Sequence, residues 1–303
     1  MAAAAVLAVL AGGLGGVRLG VFRAPDLAAV VGGWSASGDA RPPAPPPLPV
    51  YLIAQRQGRW ALVREFTPTT LTRPDDRLGA ALRFAVAGAG HAPDLASVWS
   101  VEHLLGDVRA EVRAAEVVVR LSATLLGESH QPVSGPARPT LARLAVQQLV
   151  WTATAVLGRD APVRVEGPTP TSVLFDTLPL NATFARGTGA TDPRAPIWLS
   201  SVTDGQQVRA GALQVSGDAL TTGTGTISWA LTDAAGTVVA RGQEVLRRAD
   251  GSSPPPRAGE RAVFQIHVTL PARGHYVIAV TQDWPSAGDP GATWTDTKTL
   301  QAA

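Results

Sequence analysis

Residues 141–160 read LARLAVQQLVWTATAVLGRD, a run of helical length with a tryptophan at its middle. On a wheel at about 100° per residue, Arg143, Gln147 and Thr154 fall in a narrow polar arc. Leu141, Leu144, Ala145, Leu149 and Val156 take the broad opposite side, with Trp151 at its flank. Arg143 and the glutamines cut the apolar run well short of the roughly 20 residues that cross a bilayer. The pattern predicts a helix laid against a sheet, with a thin strip turned to water. Before Gly158 it holds no carboxylate, histidine or lysine, so it offers no general acid or base. Trp151 keeps two readings: a core or rim residue, or an anchor for a partner, since tryptophan is favoured at interface hot spots.

The flanks supply the sheet. PVYLIAQ (49–55) and RWALVREF (59–66) read as strands around a short turn containing Gly58. TRPDDRLGAALRFAVAG (72–88) carries a helix start: Thr72 can cap, Pro74 sits in the first turn, and Asp75 and Asp76 complement the helix dipole. DVRAEVRA (107–114) and EVVVRLS (116–122) follow as strands, and APVRVEG (161–167) is the strand after the quoted helix. The order β-β-α-β-β-α-β predicts an α+β domain over 48–184, its helices packed on one sheet face. SVLFDTL (172–178) is expected as an edge strand.

From residue 185, ARGTGATDPRAP has the Gly, Pro and Asp content of a linker, placed at 185–195. Beyond it the period changes from helical to alternating. Runs such as GTISWALTD, ERAVFQIHVTL and GHYVIAVTQD are separated by Gly, Asp and Pro, which predicts an all-β sandwich over 196–301 with Trp229 in its core.

At the other end, MAAAAVLAVLAGGLGGV is uncharged, short for a bilayer span and of the right length for a signal-peptide core. Residues 1–23 are expected as a signal peptide or membrane anchor. ASGDARPPAPPPLP (36–49) is a stiff proline-rich spacer. A spacer between an apolar leader and a folded body suits a protein that projects from a membrane.

Composition narrows the chemistry. Lys plus Arg is 26 against 24 acids, and no block of like charges occurs, which argues against a nucleic-acid partner. All basic residues but Lys298 are arginine, read here as coding bias. The absence of cysteine excludes disulfides, thiolate metal sites and a cysteine lipid anchor on this chain. The histidines at 91, 103, 130, 267 and 275 form no close ligand set, and no nucleophile elbow, P-loop or dinucleotide motif occurs. No catalytic residue, cofactor or metal is therefore expected. The loop DWPSAGDPGATWTD (283–296), bracketed by Trp284 and Trp294, is either a turn between the last strands or a partner- or glycan-binding loop.

Taken together, VYLIAQRQGRWALVREF, DDRLGAALRFAVAG, EVVVRLSATL and LARLAVQQLVWTATAVLGRDAPVRVEG resemble the GerMN domain of sporulation and spore-germination proteins. The segment from PIWLSSVTDGQQVRAGALQVSGDAL onward resembles the immunoglobulin-like domain that accompanies it in bacterial envelope proteins. The resemblance implies an exported, membrane-associated protein of actinobacterial type, with a GerMN unit similar to ring-building domains and relatives associated with sensor kinases. It carries over no catalytic residue. The expectation is a non-enzymatic scaffold with an envelope or membrane protein partner or with copies of itself, using an open sheet face or a sheet edge. The alternatives are a cell-wall glycan or ligand-binding module using Trp284 and Trp294, and a hydrolase. Trp151, Trp284 and Trp294 are the candidate partner-binding residues.

Overall fold

The run VYLI (50–53) is apolar without alternation, as expected of a strand buried on both faces. The computed structural model describes residues 45–56, 59–87, 95–96, 98–99, 108–127, 137–188, 191–222, 225–284 and 292–303. The leader, most of the proline spacer, the turn at Gly58, and His91, His103 and His130 lie outside the described residues. Strands β1 (Leu48–Arg56) and β2 (Arg59–Thr67) form an antiparallel hairpin. Its alternate residues enter two different cores. Tyr51, Ile53 and Leu62 pack with the helices, while Val50, Leu52, Ala61 and Val63 join a core shared with the C-terminal sheets.

Helix α1 (Pro74–Ala87) starts on Pro74 with Asp75 and Asp76 in its first turn, and buries Leu78, Leu82 and Val86. Helix α2 (Ala137–Leu157) begins ahead of the quoted stretch and stops at Gly158, whose φ of 64° a side chain would strain. There the Gly158 N–H donates to Ala155 O (3.2 Å) and the Arg159 N–H to Thr154 O (3.3 Å), closing the helix end as a Schellman motif. The polar arc of α2 is not a strip turned to water. Gln147 donates to Ala185 O and accepts from the Gly187 N–H, each at 2.9 Å, and Thr154 is buried beneath Arg186. Of the three, only Arg143 is exposed.

Behind α2, Gln148 is fully buried and fully used. It accepts from Trp99 Nε1 at 2.9 Å and donates to Tyr51 O at 3.0 Å and Ala85 O at 2.7 Å. One amide thereby ties β1, α1 and α2 together.

After α1 come β3 (Leu95–Ala96), β4 (Val108–Val112) and β5 (Val117–Leu121). Beyond α2 lie β6 (Val163–Glu166), β7 (Val173–Leu174), β8 (Leu178–Pro179) and β9 (Ala182–Phe184). The strands make two main sheets, β2-β1-β3 and β4-β5-β6-β9, instead of the single sheet expected. The physical reason lies in the hairpin: its second face is covered by the C-terminal half, so it serves as a layer between two cores. The stretch 172–178 also differs from the edge strand expected. Phe175 and Asp176 adopt positive φ (49° and 56°), turning the chain into the small hairpin β7–β8 and burying Phe175 against Trp99 at 5.7 Å.

The C-terminal half holds β10 (Ile197–Leu199), β11 (Gln206–Val208), β12 (Gly211–Leu220), β13 (Thr226–Asp233), β14 (Val238–Val245), β15 (Arg261–Leu270), β16 (Gly274–Asp283) and β17 (Thr293–Ala302). They form the sheets β10-β12-β15 and β11-β17-β16-β13-β14. Alternation supplies the inner faces: Phe264, Ile266 and Val268 from one sheet, Ile278, Val280 and Leu300 from the other. At Gly217 the Phe264 ring and the Trp198 carbonyl would each lie 2.2 Å from an added Cβ, so only glycine admits this approach. Trp229, expected in the core, is half-buried and leans across Gly242 on the neighbouring strand β14, where a Cβ would meet the indole at 3.0 Å.

The two halves are joined by more than a chain crossing. The segment expected as a linker pairs with β2: the Leu62 N–H donates to Pro193 O (2.8 Å) and the Ala195 N–H to Leu62 O (2.7 Å). On the other face of β2, Glu65 accepts from Lys298 of β17 in a buried ion pair, 9% and 3% exposed. The described residues form a β-rich fold of more than one unit with two α-helices, neither long and apolar enough to cross a membrane.

Candidate functional site

The densest group of buried charge lies where α2, β2, the 185–195 segment and the C-terminal sheets meet. Trp151 points from α2 into this junction and is 5% exposed. Its ring lies 5.5 Å from that of Tyr51, with the guanidiniums of Arg186 and Arg194 at 4.4 and 4.0 Å from its centroid. Trp198 of β10, 1% exposed, lies against the guanidiniums of Arg261 (4.5 Å), Arg64 (5.4 Å) and Arg194 (5.7 Å). Arg194 therefore contacts both rings. Planar guanidiniums suit this role, since they stack on an aromatic face while their edge still binds carboxylate.

Three aspartates hold the edges. Asp192 accepts from Arg194 Nε at 2.9 Å and Nη2 at 2.6 Å, and from Arg261 Nε at 3.4 Å. Asp218 of β12 pairs with Arg261 at 3.2 Å and Arg64 at 3.7 Å. Asp160 pairs with Arg186 at 3.0 Å, and Arg186 Nε also donates to Thr154 Oγ1 at 2.7 Å. Arg261 reaches further, donating to Ala195 O at 2.7 Å.

Burial sets the electrostatics and the partners modify it. Burial pushes the Asp192 carboxyl up, but the Arg194 hydrogen bond and the Arg261 charge override it and hold the group below its ordinary value. Burial likewise opposes the charge of Arg194, yet Asp192 raises it above the ordinary value. For Asp218 burial wins over Arg261 and Arg64, and its pKa is raised. Arg261 is lowered by burial with the like charge of Arg194 added, and Arg186 by burial that Asp160 only partly offsets. The junction thus contains one pair, Asp192–Arg194, whose attraction outweighs burial, and another, Asp218–Arg261, in which burial outweighs it. Each of its carboxylates is engaged by guanidinium, so its chemistry is that of a clamp between elements.

The sequence-predicted residues sit differently from one another. Trp151 belongs to this cluster and takes the core reading. Trp294 is 1% exposed inside the shared core, and Trp284 packs edge-on against it at 5.2 Å. The Arg59 guanidinium lies 5.0 Å from the Trp284 centroid and donates to the Trp284 carbonyl. Trp294 is closed off inside the core, while Trp284 is half-buried, with Trp294 against it and the Arg59 guanidinium over its ring. Residues 285–291 between these tryptophans lie outside the described residues. His267 stands exposed on β15. Among the described residues no three His, Asp or Glu side chains group as a metal site. Glu111 and Glu116 belong to an exposed ladder with Arg113, Arg120, Arg164 and Glu166 across β4, β5 and β6. There the Arg113 and Arg120 hydrogen bonds lower the Glu111 pKa.

Two shallow concavities accompany these features. One, of about 420 Å³, runs between α2 and residues 184–187 and Thr191, with Val146, Leu178 and Phe184 as apolar lining and Arg143 and Arg186 beside them. The other, of about 500 Å³, lies on the five-stranded sheet between Ser228, Arg241, Gln243 and Thr281.

Sequence reasoning missed Arg64, Arg186, Asp192, Arg194, Asp218 and Arg261. The arginines read as compositional bias or, for Arg261, as part of a small basic patch with Arg247, Arg248 and Arg257, and their partners lie in distant segments. The one local signal was Asp192-Pro-Arg194, a pair two residues apart just before Trp198.

No protein-family model matches the chain, and no curated protein matches it. Among solved structures it is similar to the tandem GerMN domains of the sporulation protein GerM from Bacillus subtilis, at 16% identity and a TM-score of 0.36. That alignment covers 50% of this chain and 49% of that one, so the chain spans about half the length of the GerM structure. It is also similar to an engineered protein at 19% identity and a TM-score of 0.26, over 52% of this chain and 35% of that one.

Proposed function

We propose that the protein is a non-enzymatic scaffold of the bacterial cell envelope, tethered at a membrane by its leader and presenting a GerMN-like unit fused to an immunoglobulin-like sandwich. The junction is the observation that carries this reading. Its buried arginines and aspartates are engaged in holding two halves in a fixed relation, as a protein that displays surfaces to partners requires. The apolar leader and proline spacer support the tether. A sporulation or germination role, or service to a sensor kinase, rests on the sequence resemblance. The glycan-binding alternative would rest on the half-buried Trp284, since Trp294 is buried in the core.

Fractionation of cells expressing the full chain tests the location: the protein is expected with membranes or outside the cytoplasm, and recovery in the cytosol overturns the tether. Cross-linking in intact envelopes tests the scaffold. A reproducible set of neighbouring envelope proteins is expected, and purified protein that turns over envelope-derived esters, peptides or glycans would overturn the non-enzymatic reading.

A further inference from the structure

Strand β14 stands at the edge of the five-stranded sheet. Four large apolar side chains stand exposed among the described residues, and three of them, Val238 (52%), Val239 (38%) and Val245 (54%), lie on this one strand. The hydrogen-bond phase shows what the edge offers. The Leu246 N–H donates to Gly225 O, beyond the Thr226↔Val245 pair, so Leu246, Glu244 and Gly242 turn their backbone groups toward β13. Val245, Gln243 and Arg241 turn theirs away. Arg247, of the same phase, uses its outward N–H and C=O on Val263 of β15, which confirms the direction. Nothing comparable meets residues 241–245 among the described residues.

Natural edges are protected by prolines, lysines or covering loops. β14 has neither proline nor lysine; its devices are Arg241, Glu244 and a register shift opposite Leu231/Thr232. We infer that β14 pairs antiparallel with β14 of a second copy of this chain about a two-fold axis at Gly242, joining the two five-stranded sheets edge to edge.

The register favours a second copy because the strand complements itself. With Gly242 on the axis, Arg241 lies opposite Gln243 of the other copy, and Val245 opposite Val239, each pair occurring twice. A two-fold shifted to Arg241 would set Arg241 on Arg241, which like-charge repulsion disfavours. Backbone pairing supplies affinity and the valine pairs cover the exposed apolar edge. This deepens the scaffold reading, since paired copies present two junction-locked units side by side.

The chain has no cysteine, so engineered thiols report without background. Arg241→Cys and Gln243→Cys are made separately in the full chain, purified in mild detergent, mixed and oxidised. The mixed disulfide is expected to form several-fold faster than either homodisulfide. In parallel, Val245→Lys is expected to convert a dimer to a monomer by light scattering, with its circular-dichroism spectrum and the cooperativity of its unfolding retained. A monomeric wild-type chain at micromolar concentration overturns the inference. So does a Val245→Lys dimer, or a mixed disulfide no faster than the homodisulfides. Each outcome leaves the membrane location to the fractionation experiment, so the two readings fail separately.

Discussion

Replacing Trp151 by Ala tests whether the junction is a structural clamp. The indole is 5% exposed and touched by Tyr51, Arg186 and Arg194. A buried aromatic side chain removes about 150–250 Å² from water, which at about 25 cal/mol per Å² corresponds to about 4–6 kcal/mol. Measured aromatic-to-alanine costs of about 3–5 kcal/mol agree in scale. The two guanidiniums lose ring faces worth about 0.5–2 kcal/mol each, but both keep aspartate partners, so the lower end applies. We expect a loss of about 4–6 kcal/mol, enough to unfold a domain of ordinary stability. Trp151→Phe should cost only about 1–2 kcal/mol, because the ring stays while its area shrinks. A cycle of Trp151→Phe with Arg194→Met should then give a coupling of about 0.5–1 kcal/mol. Urea unfolding followed by circular dichroism measures all of these. A Trp151→Ala loss below about 1 kcal/mol, with partner cross-links abolished, would show that Trp151 is an interface anchor and refute the clamp.

Other perturbations probe the same architecture. Lys298→Met leaves Glu65 buried without its partner on β17 and should cost about 3–5 kcal/mol, whereas Lys298→Met with Glu65→Leu should return to within about 1 kcal/mol of wild type by the same urea assay. Asp192 has a depressed folded pKa, so the unfolded state binds more protons below about pH 4, and its stabilisation is present above that range and lost on acidification. Asp192→Asn should therefore destabilise at neutral pH by up to about 3 kcal/mol and converge on wild type in acid. Asp218 has a raised folded pKa, so its stability term falls as pH rises through the window above about 4. Asp218→Asn should cost less than Asp192→Asn at neutral pH, which pH-dependent melting curves compare directly. Gly217→Ala drives a methyl into Phe264 and the Trp198 carbonyl and should lose about 1–3 kcal/mol or more by thermal unfolding.

The sequence was most legible where one periodicity governs one segment. The strands 49–55 and 59–66, the helix beginning at Pro74 and the alternation of β15 and β16 all lie where patterning places them. Legibility failed where two distant segments share a residue. The polar arc of α2 looked solvent-facing because nothing in 141–160 reveals that residues 185–187 cover it. The Gly- and Pro-rich composition of 185–195 is that of a linker, yet Asp192 and Arg194 make it part of a buried network. Trp294 and Trp229 were exchanged in role, since alternation fixes a side of the sheet but not what covers that side. Trp294 lies under the docked hairpin, and Trp229 lies toward the edge strand β14.

Docking of the hairpin decides which surfaces remain for partners. A β-sheet with one free face could receive a partner there, and the sequence alone suggested that for the N-terminal sheet. The structure places α2 against one face of β1–β2 and the inner residues of β17 against the other, with Glu65–Lys298 closing the second contact. Opening that face would expose a buried ion pair and divide a continuous core, at a cost comparable to the stability of a whole domain. Under the scaffold reading proposed above, association would use surfaces that are open without rearrangement. In the C-terminal half such surfaces include the β14 edge and the outer face of its sheet, where Thr295, Thr297 and Thr299 of β17 lie beside Thr281, Ala279 and Val277 of β16. Such small side chains give a nearly flat face that contributes little affinity alone. The edge, with outward backbone groups and three exposed valines, is the part of this surface with a strong reason to be covered.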